Sequence, residues 1–486
     1  MAFIEWSNIM IKKLVCMLSV VTLLFSFCAC KSNPKDSSSD NESTYREYED
    51  VTSVDSDVSD VTVSNGSTIS SSGNQSTDRN SSTATVSKLS SVPKSLRGTT
   101  VVVYSWNAAK DVPGATTIIN KFQKETGIKV KWDIGTYDNY KSEIAAMVAA
   151  RNSPDIIRLR GMEPGILTLM DPITVTGYDF SEDIWDGFIS KTYTVNGKLF
   201  AVNRKNTLLQ QPLTMFYNRE LITKYDLSDP YALWKKNTSN WNWDTFLSLC
   251  NEYKKAAGTD SKPWMVNTIN DYSMTLGDTQ INFNNGKYKS NMGNKNLLLG
   301  YQKIAELRMN NIAYFGWDMN GFNNGQYLFF GPAIISARRT HFDLTDLKSK
   351  GALGVVPYPC VKGQSTYYQN IWEVEAYGVP KGAKNAAAVP YFLNYYLDGD
   401  RYDSATFFND KRILDVYNWC MTKTTLVPEY DRWILSFDFG SDSYTEFIQK
   451  LQTATPDQIP QLINTYSPLV ENAVKQANKI IAEDIS

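Results

Sequence analysis

Three polar residues, Arg338-Arg339-Thr340, abruptly end a short apolar run from Ala333 to Ala337. Gly331-Pro332 precedes that run, and short apolar runs bounded in this way read as buried strands. In open α/β sheets, ligands bind outside the carboxyl ends of the strands. Two arginines at such an end are placed to meet a ligand, and a solvated loop is the alternative. Glu373 and Glu375 fall at period two and share one face of an extended segment. Glycosidases need two carboxyl groups facing each other, roughly 5–10 Å apart. Neighbours on one strand face stand side by side and do not fit that chemistry. A single histidine, His341, argues against a Ser-His-Asp enzyme or a His-rich metal site. No phosphate-binding loop, nucleophile elbow, zinc-protease helix or strand-linked dinucleotide fingerprint occurs. The reading is no enzyme, no cofactor and no metal. What remains is binding chemistry. Arg, Gln, Asn and Glu hydrogen-bond hydroxyl groups, and an aromatic face stacks on the apolar side of a sugar ring. Aromatic residues make up 13% of the chain, with 28 Tyr and 12 Trp, which suits such surfaces.

The elements that would hold these residues follow an α/β pattern. Thr99 to Ser105 is a continuous apolar strand of the kind buried in parallel sheets, with Trp106-Asn107 at its carboxyl end. A helix from Pro113 to Glu125 follows, stopped by Gly127, and then a strand from Ile128 to Asp133. This β-α-β unit sets a right-handed parallel crossover. A helix is expected from Asp138 to Ala150, with Tyr140, Ile144, Met147 and Val148 as its core stripe. Ile156 to Leu159 is a strand ending at Arg160-Gly161-Met162-Glu163. Tyr193 to Val202 is a hairpin turning at Asn196-Gly197. Leu213 to Asn218 is a strand, Asn242 caps a helix to Ala257, and 297–309 is a helix. Trp243 reads as core and Cys250 as a small buried hydrophobe. Trp264, Tyr272, Trp317 and Phe322 either line a pocket or pin loops. Gly354 to Val356 is a short strand, Tyr367 to Val379 reads as one strand, and 384–486 is mainly helical. No internal repeat is evident.

The ends and the charge bound the setting. Net charge is −2, which gives no field for nucleic acid. Lys12 and Lys13 precede an apolar run, Leu14 to Phe27, too short for a comfortable membrane span. The run ends Phe27-Cys28-Ala29-Cys30, which resembles a bacterial lipoprotein signal with Cys30 as the lipidated residue. Residues 31–95 are rich in Ser, Thr, Asp and Asn and too poor in apolar residues to offset their ordering entropy. As a flexible coil they form a tether of roughly 45 Å end to end. Cys250, Cys360 and Cys420 are widely spaced and odd in number, so no disulfide framework is expected.

Several motifs together resemble the extracellular solute-binding proteins of ABC importers. They are the FQKETGIKV run at 122–130, Pro154-Asp155-Ile156, the NGKL turn, GVVPYP at 354–359 and VPKGAKN at 379–385. The resemblance runs from Thr99 almost to the C-terminus. It implies an α/β, two-lobed periplasmic-binding-protein-like fold of type II, with mixed, mostly parallel sheets and a hinge. The implied domains are 1–30 signal, 31–95 tether, 96–208 plus 376–418 as one lobe, and 209–375 plus 419–486 as the other. The implied activity is capture of a sugar or oligosaccharide and its delivery to membrane permease subunits, by a lipid-anchored monomer outside the cell. The implied contacts are Trp106, Arg160, Glu163, Gln210, Tyr217, Arg338, Arg339, Trp372 and Glu375. Glu375 stands where the family usually has Trp, either as a ligand acceptor or as a partner of Arg338 or Arg339. A phosphorylated polyol is a variant ligand. A glycan-holding adhesion protein is the alternative function.

Overall fold

The computed structural model describes residues 91–485, apart from 113, 138, 161–163, 206–211, 259, 285, 338–343, 372–373, 399–407, 409, 432–433 and 436–440. In chain order the first strands are β1 (Thr100–Ser105), β2 (Lys129–Ile134), β3 (Ile156–Arg160) and β4 (Met170–Asp171). Then come the pair β5 (Thr194–Val195) and β6 (Lys198–Leu199), β7 (Ala201–Val202) and β8 (Thr214–Asn218). β9 (Lys262–Val266) precedes the hairpin β10 (Ile281–Asn284) and β11 (Lys287–Ser290), followed by β12 (Ala313–Phe315) and β13 (Tyr327–Phe330). The last four are β14 (Leu353–Pro357), β15 (Tyr368–Ile371), β16 (Glu375–Pro380) and β17 (Thr425–Pro428).

Two five-strand paths organise these elements, and they share one logic. The first sheet runs β2-β1-β3-β16-β4, with β7 also on β16. The second runs β12-β9-β13-β8-β14. Numbering each lobe's own parallel strands 1 to 4, both read 2-1-3-n-4, where n is an inserted antiparallel strand: β16 in one and β8 in the other. This order is the type II two-lobed architecture. The sequence shows no repeat, yet the topology repeats, because strand order is set by crossovers and not by side-chain identity.

Local chemistry explains the elements. β1 pairs with β2 over six residues, with Val101 and Val103 buried. The crossover helix Ala115–Thr126 buries Ile119 and Phe122 and stops at Gly127, whose φ of 73° is left-handed. Asn196 and Gly197 both have positive φ, as a tight two-residue hairpin turn requires. Asn242 caps the helix Trp243–Ala257 by accepting from the Thr245 N–H. That helix presses Phe246 against Trp264 and Phe329, with ring centroids 5.2 and 5.0 Å apart. Trp243 and Cys250 are buried there, as expected.

Three expectations change. Ala333–Ala337 is not a strand. The strand is β13, and after Gly331-Pro332 the chain makes one 3-10 turn, Ile334–Ala337, with Ile334, Ser336 and Ala337 buried all the same. A short apolar run signals burial without fixing its period, and Pro332 cannot donate to a ladder. Tyr367–Val379 is two strands on different sheets, β15 and β16, split where the chain crosses between lobes. Thirdly, helix Lys411–Lys423, whose first eight residues the sequence assigns to the first lobe, packs on β14 of the second sheet. Its Asp415 accepts from the Tyr231 hydroxyl and Lys235 at 3.1 and 3.0 Å. The C-terminal helices Ser441–Thr453 and Ile459–Asp484 pack on helix Lys295–Met309, and the last also on β11. Among the described residues no helix is long and apolar enough to cross a membrane.

Phe246 is fully buried at the centre of the second lobe's aromatic core. Phe246→Ala is expected to cost about 3–5 kcal/mol of unfolding free energy in chemical denaturation. A loss under 1 kcal/mol would contradict this packing.

Candidate functional site

Register locates the crevice. β1, β2 and β3 run parallel and end at Ser105, Ile134 and Arg160. β16 enters beside that edge, with Glu375 opposite Arg160. β7 leaves by the same edge, since Val202 lies opposite Tyr377 and the next residue, Asn203, donates to the Glu375 carbonyl at 3.0 Å. In the second sheet, β8 enters at Thr214, opposite the last residue of β14, Pro357. Just before it, Leu213 bridges Ala333 and Pro212 bridges Ile371. Both crossings, 203–213 and 371–375, therefore run from one carboxyl edge to the other. Carboxyl edges are where open α/β sheets bind ligands.

On the first edge stands a compact polar and aromatic cluster. Trp106 follows β1 and is partly buried. Its ring meets Tyr137 and Tyr140 edge-on, with centroids 5.7 and 4.9 Å away. The Arg158 guanidinium carbon lies 4.5 Å from the Trp106 ring centroid, a cation–π contact. Arg158 also donates to Asn107 Oδ1 at 3.3 Å, and its Nη2 pairs with Glu375 Oε1. The Glu375 side chain is 1% exposed and that of Arg158 17%. Burial works against the Arg158 charge, but Glu375, Tyr377 and Tyr396 together outweigh it and raise the guanidinium pKa. Tyr140 donates to the Tyr104 carbonyl at 2.8 Å and accepts from the Arg158 N–H at 3.1 Å, locking β3 to the helix Tyr140–Ala149.

On the second edge, Trp317 lies two residues past β12 and is 41% exposed, which is high for Trp. Its ring packs edge-on against Phe330 at the end of β13, 5.0 Å between centroids. Trp264 and Phe322 are fully buried, and Tyr272 is buried too, so these three pin the core. Behind this edge lies a buried acid cluster. Asp431 accepts from the Gln280 and Ile281 N–H groups at 2.8 and 2.7 Å. Asn270 donates to Glu429 at 2.9 Å and to Asp431 at 3.2 Å. Asp271 accepts from the Asn267 N–H at 3.1 Å and bonds the Tyr358 hydroxyl. No group of acidic, His or Cys side chains among the described residues has metal-site geometry.

Of the residues expected from sequence, Trp106 stands at the carboxyl edge, and Glu375 beside it is sealed in. Glu375 pairs with Arg158. Arg160 lies opposite Glu375 in β3, and its side chain is outside the described residues. Glu163, Gln210, Arg338, Arg339 and Trp372 are also outside them, as is Cys30. Tyr217 is 1% exposed; its hydroxyl bonds Asp229 at 2.5 Å, and its ring fills the space that a side chain at Gly354 would take. It is core, not brought to Trp106 by any described contact. Sequence reasoning missed Arg158, because a charged residue inside the apolar IIRL run carries no outward sign of its partner. The signal available was that very misfit: a buried arginine demands a carboxylate.

The model of the bacterial extracellular solute-binding protein family matches residues 107–398. No curated protein matches the chain. The fold is similar to the GacH receptor of Streptomyces glaucescens, solved unliganded and with acarbose, at 15% identity and a TM-score of 0.58, over 76% of this chain and 98% of that one. It is also similar to the sugar-binding protein MalE of Xanthomonas citri, at 14% identity and 0.57, over 79% and 98%. A cyclic α-maltosyl-1,6-maltose binding protein of Arthrobacter globiformis matches at 13% identity and 0.59, over 78% and 99%.

The acid cluster has a pH signature. Burial pushes the Asp271 carboxyl up to about 8, with the bonds from Tyr358, Thr268 and Asn267 offsetting only part of it. In the unfolded chain it titrates at about 3.9. The folded state therefore holds the proton more tightly. The resulting stability is complete below about pH 4 and is lost as pH rises to about 8, at up to ~1.4 kcal/mol per pH unit. Asp271→Asn keeps the neutral form and is expected to lose less stability than the parent between pH 5 and 8 in urea unfolding. Parallel pH profiles would contradict a buried protonated Asp271.

Proposed function

The chain belongs to the bacterial extracellular solute-binding protein family, and from that premise we propose that it is the receptor of an ABC importer for a sugar or oligosaccharide. The observation that carries this reading is the Trp106 indole, backed by Arg158, at the carboxyl edge to which both crossings return. Trp317 on the other sheet's edge supplies a second aromatic wall. A ring stacked on an indole keeps its hydroxyls directed at polar neighbours, and unpaired buried polar groups then reject solutes lacking them. Arg160, Glu163, Gln210, Arg338, Arg339 and Trp372 remain proposed contacts, while Tyr217 and Glu375 act as support. Closure of the two lobes around the ligand is the hinge motion of such receptors.

The lobes in this reading are 96–208 with 376–398, and 209–375 with 410–486. The second boundary moves back from 418 because helix Lys411–Lys423 packs on β14. The protein acts as a monomer that hands its ligand to permease subunits. Cys30 carries the lipid and 31–95 is the tether, so Cys30→Ser should release the protein from the membrane into the medium. Retention of that variant on membranes would contradict lipid anchoring at this residue.

A thermal-shift screen with linear and cyclic malto-oligosaccharides, monosaccharides and sugar phosphates tests the function. A ligand binding only the folded state at 100 times its Kd stabilises it by about 2.7 kcal/mol. An oligosaccharide is expected to raise the melting temperature, and Trp106→Ala or Trp317→Ala to weaken binding about tenfold each, the ~1.4 kcal/mol scale of an aromatic contact. Absence of any shift, with retention on insoluble glycan, would overturn transport in favour of adhesion.

A further inference from the structure

We propose that Glu375 is a positioning residue that couples the hinge to the sugar platform through Arg158. The inference rests on Trp106 being that platform.

Both crossings are fastened at Glu375. It is the first residue of β16, where the second crossing enters the sheet. Its carbonyl accepts from Asn203, where the first crossing leaves, and the preceding Val374 carbonyl accepts from the Tyr193 hydroxyl at 2.6 Å. Its carboxylate turns inward and holds Arg158. Arg158 covers Trp106 and bonds Asn107, the next residue along. A direct chain of contacts thus runs from the crossings to the indole: Asn203 to Glu375 to Arg158 to Trp106.

The pair has little slack. Glu375 Oε2 and Arg158 Nε are buried and have no hydrogen-bond partner among the described residues. Neither group has a second described counter-charge to turn to, so displacement of the carboxylate moves the guanidinium with it. Removing one member strands the other as a buried, uncompensated charge. A hinge rotation that shifts the start of β16 therefore resets the plane of the guanidinium over the indole. By linkage, a sugar that binds the indole better in one setting favours that hinge state. An ordinary strand-fastening salt bridge would have no such effect on Trp106.

Two measurements separate these cases. The first needs no ligand: a double-mutant cycle of Glu375→Gln and Trp106→Ala, read as the unfolding equilibrium constant. Coupling predicts that Trp106→Ala changes this constant severalfold less in the Glu375→Gln background than alone. Additive effects would overturn the proposal. The second is calorimetric binding of maltotetraose. Glu375→Gln is expected to raise the Kd about tenfold. Arg158→Lys, which keeps the charge and loses the planar stack, should do likewise. If maltotetraose binds all three proteins equally, the positioning role is refuted and the receptor reading stands. If the parent binds no saccharide while the cycle shows coupling, the contact chain stands and the receptor reading falls.

Discussion

One constraint shapes this molecule: in each lobe the strand that follows a crossing is inserted antiparallel between parallel neighbours. β16 lies between β3 and β4, and β8 between β13 and β14. An inserted strand must enter where its parallel neighbours end. Two such insertions force both carboxyl edges toward the crossings, whatever the side chains are. The ligand crevice is thus a consequence of topology, and side chains decide only what it recognises. The two crossings also limit motion, since each is held at its lobe by strand pairing on both sides.

Electrostatics follow from that geometry. Residues at the start of an inserted strand are buried by neighbours on both sides, so a charge there needs a partner. Glu375 has one in Arg158. Such a pair adds little net stability against apolar residues of the same size, because desolvation offsets most of the attraction. Its place beside Trp106 fits a positioning task better than a stabilising one. The acid cluster behind the second edge obeys the same rule by another route. Burial raises both Asp271 and Asp431 above the usual carboxylate range, and repulsion from Glu429 adds to it.

Much of the fold was legible in the chain. The β-α-β opening, the Asn196-Gly197 turn, the Asn242 cap and the strand at 214–218 follow from local rules, and the structure has them within a residue or two. The misreadings share one cause. Tyr367–Val379 looks like one strand because each half is apolar and extended, and nothing local marks the change of sheet. Ala333, Ile334, Ser336 and Ala337 are as buried as strand residues but form a turn, since burial and period are separate signals. The site was less legible. The place of Trp106 at a carboxyl edge follows from the apolar strand before it. Arg158 was hidden inside one, and Glu375 was recognised as a carboxylate but not as a sealed one. For Trp317 the sequence leaves pocket wall and loop pin both open, because exposure at an edge depends on strand order, which the sequence does not print.

The central claim is that a saccharide is held between the two carboxyl edges at once. Hydrogen exchange with and without saturating maltotetraose tests it most directly. The account predicts joint protection of the amides at Ser105–Asn107 and Gly316–Asp318, one on each lobe. Binding of the sugar with protection at only one of these edges would contradict it.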